Sequence, residues 1–557
     1  MKNRQPAYQP TSRSKTVKVG AAASAAALSL LLAACGGQTT PAANAGTGEK
    51  VDGGTIRYAH LQEPACVYGG WVQQAFLSRQ VLDSLVSQTE DGSIVPWLAE
   101  KWKVSEDQLT WTFTLKPGLQ FTDGTPLDAQ AVSDNFEFWQ AGGNGTVQAH
   151  IGDYYSSSRA IDAKTLEVKL SDPFTPFLSA LSQGYFGIQS PTALGTRSEA
   201  ENCEAPIGSG PFTVGEWKRG QSITFNRNDA YNSAPQNAKH QGPAYVDSVV
   251  WSFIQDNTSR FGSLASGESD AIGEVPTVDF DTAKSQFDVQ QYLTPGRPVT
   301  LSLNTVEGPF TDVKVRQAFA YSADRKAVVD SAFLGVVPFE GNGTVSSSTP
   351  GYNPDVAADY PFDAAKANTL LDQAGWTERS AEGTRTKDGK ELEVKIVFGL
   401  NSIVTAEGAT ALQNLQEQVK ATGFKVTLVP ATQAELFSGQ FSTPDSYDAQ
   451  LGYWTSPHAG ILHINFRQNT EKKPNPANTT FYNNAEIEDI ILKANSAKTT
   501  AEANKLYGQA QQLLSDQAVA VGLYTQTSSV ASNPKLKDIW LEASQGEPVF
   551  HDAYFTE

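Results

Sequence analysis

From Gly53 onward the chain alternates strand-like and helix-like periodicity, without a detectable repeat or low-complexity stretch. That alternation leaves mixed α/β domains as the folds that bury its apolar faces. Leu109, Trp111, Phe113 and Leu115 interleave with Thr110, Thr112 and Thr114, the period-two pattern of a half-buried strand. Lys116-Pro117-Gly118 turns that strand, and Asp123-Gly124-Thr125-Pro126 turns the next segment. Asp128 then stands as the cap of a predicted helix through Val132, Phe136 and Trp139. Residues 249–254, 300–304 and 424–429 read as further strands. Asp312, Asp324 and Asp363 occupy N-cap positions before apolar helical patterns, and Gly375 follows the third as a C-terminal cap. A longer helix is predicted near 406–421, ending at Gly423, and helical periodicity returns from 487 through 514. Pro295-Gly296-Arg297-Pro298 punctuates the middle, and a second candidate crossing lies near 522–527. Two passages of the chain between lobes at those points would form a hinge.

The N-terminus limits where such a chain works. Residues 1–18 carry Lys2, Arg4, Arg13, Lys15 and Lys18 and no acidic side chain, and an Ala/Leu-rich run over 21–34 ends at Cys35. A basic region, a short apolar region and small residues at the cut make an export signal. Fourteen residues rise about 21 Å as a helix, short of a bilayer core of roughly 30 Å. Leu32-Ala33-Ala34-Cys35 looks like a lipobox, with Cys35 the lipidated first residue of the mature chain and 35–52 a flexible tether. The ordinary secretory signal is the competing reading. Removing 1–34 leaves 523 of 557 residues, enough for two or three domains, and takes the formal charge from −18 to −23. Such a charge argues against nucleic acid as a partner. Cys66 and Cys203 then remain as an even pair outside the cytoplasm, read as one disulfide, with two buried free thiols as the alternative.

The residue patterns of catalysis are missing. There is no His-Glu-x-x-His, Cys-x-x-Cys, Gly-x-x-x-x-Gly-Lys or Gly-x-Ser-x-Gly. His458 and His463 stand five apart, a spacing that does not put both on one helical face. No catalytic residue, metal or cofactor is expected.

Three stretches carry a family resemblance: 96–139 with Gly118-Leu119-Gln120-Phe121-Thr122-Asp123-Gly124; 206–231 with Ile207-Gly208-Ser209-Gly210-Pro211-Phe212; and 303–330 with Asp312-Val313-Lys314-Val315-Arg316-Gln317-Ala318. In order and spacing the chain resembles the family 5 extracytoplasmic solute-binding proteins, of the oligopeptide-, dipeptide- and nickel-binding type. The resemblance implies an α/β, two-lobed, three-domain clamp of the periplasmic-binding-protein kind (type II, cluster C), with mixed sheets and a hinge. It places a discontinuous domain over 53–90, 200–298 and 523–557, a small inserted domain over 91–199, and a contiguous domain over 299–522. It implies a monomer that hands its guest to the two permeases of an ABC importer, with an ATPase on the cytosolic side, from the outer face of the cytoplasmic membrane. Arg316 admits a carboxylate-clamp reading or a helix-surface or inter-element ion pair, and the second is preferred.

Peptide-binding relatives hold the ligand's ammonium with an Asp shortly after a Trp in the contiguous lobe. Here that Asp falls at Pro457, and no carboxylate occupies Thr455 to His458. An unpaired buried ammonium is costly, so a different recognition set is expected. Tyr68, Trp71, Tyr453 and Trp454 are candidates to stack on a guest. Ser456 and His458 are candidates to hydrogen-bond it, and Asn304 to reach in from its strand. The expected guest is a peptide-like or other small polar solute. The alternatives are a nickel chelate, an opine or an oligosaccharide on the same fold, a surface-anchored hydrolase, or a signalling or chaperone protein that reuses the clamp.

Overall fold

The structure, a computed structural model, describes residues 48–70, 72–401, 403–470 and 474–557. The expected signal segment, the tether as far as residue 47, and Cys35 lie outside the described residues.

Three sheets organise the body. A seven-stranded sheet runs in the order Asp288–Leu293, Thr527–Ser532, Ala271–Gly273, Thr55–His60, Ser248–Phe253, Ser222–Arg227, Phe212–Lys218. Thr55–His60 is parallel to both neighbours and the remaining pairs are antiparallel. A five-stranded sheet runs Lys425–Ala431, Glu393–Gly399, Ala449–Thr455, Gly296–Leu303, Ala520–Tyr524, and is likewise mixed. A four-stranded antiparallel sheet contains the strand Thr110–Leu115. In that strand Trp111, Phe113 and Leu115 are buried while the threonines are half-buried, as the alternation requires.

The helices begin where their caps predict. Asp128 accepts from Ala131 N and opens Ala129–Phe138; Asp312, Asp324 and Asp363 likewise open Val313–Tyr321, Arg325–Phe333 and Ala364–Gln373. Helix Ala406–Val419 is capped by Thr405, and the chain leaves its last turn at Gly423 with φ +100°. The periodicity over 487–514 resolves into two helices, Ala485–Asn495 and Thr500–Asp516. Thr499 starts the second by accepting from Glu502 N, and the Asn495 carboxamide is drawn into a buried network with Tyr154 and Tyr507. A cap and a polar anchor therefore break what apolar spacing alone reads as continuous.

Between the two large sheets the chain passes twice. Asp288–Leu293 belongs to the seven-stranded sheet and Gly296–Leu303 to the five-stranded one; Ala520–Tyr524 and Thr527–Ser532 repeat the passage in reverse. The crossings lie side by side, with Thr294 N donating to Gln526 O at 2.9 Å. Gly296 sits at φ +115°, and a Cβ there would lie 2.1 Å from Trp454 O, so glycine is required by conformation and by contact. Cys66 and Cys203 form a disulfide that closes 137 residues of chain. In the chain-entropy view a loop of that length stabilises by about 5 kcal/mol. No helix among the described residues is long and apolar enough to cross a membrane.

Candidate functional site

A cleft of about 350 Å³ opens where the two large sheets meet, and the crossing segments form part of its wall through Thr294, Gln526 and Thr527. From the seven-stranded side come His60, at the end of its strand, Arg260 on helix Asn257–Ala265, and Glu274 just beyond strand Ala271–Gly273. From the five-stranded side come Tyr453 and Thr455 of one strand, Tyr524 of another, and Glu407 in the first turn of helix Ala406–Val419. The walls touch through polar contacts: Asn257 Nδ2 donates to Glu407 Oε1 (3.2 Å), Gln545 Nε2 to Thr455 Oγ1 (3.1 Å), and Gln62 Nε2 to Asn401 O. Tyr185, beyond the four-stranded sheet, shares a hydrogen bond of 3.1 Å with the Thr455 hydroxyl.

Burial sets the ionisation of this surface. It pulls the His60 imidazole down to about 4, helped by the Arg260 charge, so His60 is neutral at physiological pH. It pushes the Glu274 carboxyl up to about 7; Arg260 opposes the rise and Glu407 adds to it. Glu274 also holds a left-handed backbone, φ +51°, a conformation that non-glycine residues adopt rarely and often at binding sites. The Arg260 guanidinium spends its donors on protein groups: Nε on Gly273 O, Nη1 on Ile254 O and Gln255 O, Nη2 on Asn257 Oδ1 and Glu274 O.

The residues singled out in the sequence separate here. Tyr453 and Thr455 line the cleft. Trp454, on the alternate face of the same strand, packs against the core around helices Ala485–Asn495 and Thr500–Asp516, with its Nε1 buried and without a partner. Tyr68 is a core residue whose hydroxyl accepts from Trp139 Nε1 at 3.0 Å. Asn304 is fully buried and spends its amide on Pro444 O and Tyr447 O, and its carbonyl on Val306 N and Glu307 N. That bonding holds a loop and leaves nothing for a guest. Ser456 donates to His458 O at 3.0 Å and is fully buried. Trp71 lies outside the described residues. His458 is buried edge-on to His150, ring centroids 6.1 Å apart, and all four ring nitrogens of the pair lack hydrogen-bond partners. Burial holds both rings well below the ordinary histidine range, His150 at about 3.

Sequence reasoning missed His60, Arg260, Glu274, Glu407 and Tyr524. Glu407 follows the Thr405 cap, where an acidic residue is sufficiently explained by the helix dipole. Tyr524 falls inside the predicted second crossing, which was its one available signal. Glu274 and His60 belong to no motif.

Among the described residues one cluster, His240, His551 and Asp552, brings metal-ligand atom types within 4.8 Å. Both rings donate from Nε2 to backbone carbonyls, of Pro243 and Gly242. They stack at 4.1 Å with a 4° interplanar angle, and Asp552 Oδ1 lies 2.8 Å from His240 Nδ1 and 3.1 Å from His551 Nδ1, so the cluster is held together by its own polar contacts.

Comparison with known proteins agrees with this geometry. A profile of the family described as Bacterial extracellular solute-binding proteins, family 5 Middle, matches residues 93–508. The nickel-binding periplasmic protein of Escherichia coli (strain K12) is 26% identical over 477 residues, covering 84% of this chain and 87% of that one. The probable D,D-dipeptide-binding periplasmic protein DdpA of the same organism is 27% identical over 446 residues, covering 79% and 81%. In fold, the chain superposes on the oligopeptide-binding protein AppA of Bacillus subtilis, solved with a nonapeptide, with a TM-score of 0.76 at 22% identity, covering 91% of this chain and 100% of that one.

Proposed function

Because the chain belongs to the bacterial extracellular solute-binding proteins of family 5, the substrate-binding components of ABC importers, we propose that it captures a small polar, peptide-like solute between two lobes. It delivers that solute, as a monomer, to a pair of permeases while anchored through lipid on Cys35 to the outer face of the membrane. One observation carries the reading: the chain crosses twice between two separately cored sheets, and the cleft lies at the crossing. A guest that touches both walls stabilises the closed form over the open one, and only such differential contacts shift that equilibrium. In this reading the lobes follow the boundaries expected from the sequence, 53–90 with 200–298 and 523–557, 91–199 as an insert, and 299–522. Tyr453, which lines the cleft, belongs to the recognising set.

A cleft of about 350 Å³ lies at the small end of ligand-sized cavities, which favours a guest on the scale of the dipeptide in the relative's name over a nonapeptide. Native mass spectrometry of the freshly purified chain should show a co-purifying molecule of a few hundred daltons. Repeated absence of any such adduct, with no binding from a nutrient mixture, rejects the receptor reading. The anchor is tested separately: Cys35→Ser should release the protein from the membrane fraction into the medium, and an unchanged membrane fraction rules lipidation out.

A second reading, a metal-chelate guest, draws on the His150–His458 pair, whose nitrogens are buried and unpartnered, and on the relative named for nickel. A metal signal in the same adduct, lost in His458→Gln, would favour it.

A further inference from the structure

The charges in the cleft are unbalanced. Its wall carries three carboxylates, Asp256, Glu274 and Glu407, and one guanidinium, Arg260. Asp256 is engaged, its Oδ1 accepting from Ser259 N as a helix cap. Arg260 offers partial neutralisation at a distance but no donor, since all its N–H groups bond to backbone carbonyls and Asn257. Among the described residues the Glu274 carboxylate has no hydrogen bond or ion pair, and that of Glu407 has the Asn257 amide alone. These last two project from opposite walls. Closing an empty cleft therefore brings like charges toward each other, which opposes closure.

Two further features point to a ligand. His60 is 4% exposed and lines the cleft, and its Nε2 has no partner. Its Nδ1 is already engaged by the Gln62 backbone, 3.2 Å from the amide nitrogen and 3.4 Å from the carbonyl oxygen, so Nε2 is left as a buried polar atom with nothing to meet it. Tyr453 and Tyr524 add aromatic surface to the same wall, a surface that attracts cations through the ring quadrupole.

We infer that the guest is a cation: it places an ammonium or guanidinium-like group between Glu274 and Glu407 and turns a second polar group to His60 Nε2. This rests on the receptor reading above and specifies its substrate class. Charge then works in two directions. Without a guest the opposed carboxylates work against the polar contacts that join the walls; with one, each wall gains a charge-assisted hydrogen bond that exists only when the cleft is shut. A neutral or anionic solute of equal size lacks that second effect, and selectivity arises from the repulsion as much as from the attraction.

The test uses the full-length chain, extracted in mild detergent, freed of endogenous ligand by unfolding and refolding, and incubated with yeast extract as the probe mixture. Molecules retained after desalting are identified by mass spectrometry. The same is done for Glu274→Gln, Glu407→Gln and, as a control on a remote exposed turn, Glu382→Gln. The expected result is at least tenfold enrichment of cationic over neutral molecules of similar mass in wild type and Glu382→Gln, lost in both cleft variants. Glu407, on the first turn of a helix, gives a readable variant even if Glu274→Gln fails to fold. Retention of a set without excess positive charge overturns the inference and leaves the receptor reading standing. So does a retained set identical in Glu407→Gln and wild type. Retention of nothing by any of the proteins removes the receptor reading, and this inference with it.

Discussion

Glu547 lies on the strand Glu547–Val549 directly opposite Glu542, both fully buried, and neither oxygen of Glu547 has a hydrogen-bond partner. Arg79 Nη2 is 4.0 Å from Glu542, one cation for two carboxyls. Desolvation, and then the Glu542 charge, raise the Glu547 carboxyl well above the usual range. A carboxyl raised in the folded state stabilises fully below its unfolded value, near 4.3, and that stabilisation is lost as pH rises toward the folded value. Glu547→Gln should accordingly stabilise the protein by about 1–3 kcal/mol at pH 8, with the gain shrinking toward pH 4. Thermal melts of the two proteins across that range check it, and a gain independent of pH would refute the protonation argument. At this scale the sequence was least legible. Arg316 was expected to ion-pair between elements; it is buried and instead donates to the carbonyls of Phe310 and Gln517, acceptors that composition does not reveal. His60, Glu274 and Glu407 escaped because each acquires its character from a neighbour brought close only by folding.

Elements were far more legible, because their rules are local. Caps at Asp128, Asp312, Asp324 and Asp363 each start a helix at the next residue, and alternation over 109–115 gives the strand within one residue. The one long helix read through 487–514 divides at Thr499, a residue whose capping role competes with a helical phase that the apolar positions keep on both sides. The crossing at Gly296 makes a prediction at this scale. Gly296→Ala forces a Cβ to 2.1 Å from Trp454 O in a backbone region that disfavours side chains. It should cost more than about 2 kcal/mol in denaturant unfolding and disturb the strand Ala449–Thr455 beside it. Unchanged stability would show that the crossing is softer than its contacts imply.

For the whole molecule, the pattern of strands and helices establishes a mixed α/β body, but only the pairing of strands shows two large sheets joined twice. No sequence period reports that 288–293 pairs with 527–532, since the partners are more than two hundred residues apart. The excess of acidic residues, −18 over the full chain, makes copies of the molecule repel one another. Small-angle scattering should show a smaller radius of gyration once the co-purified molecule is restored to stripped protein. An identical radius with and without it would argue that the two halves do not move.

The bond from Thr294 N to Gln526 O ties the two crossing strands together. A single connector lets its two ends bend, twist and slide; a pair fastened abreast leaves little besides folding about the line perpendicular to both. Any excursion of one half against the other is then reduced to a single angle, one number for a partner to sense.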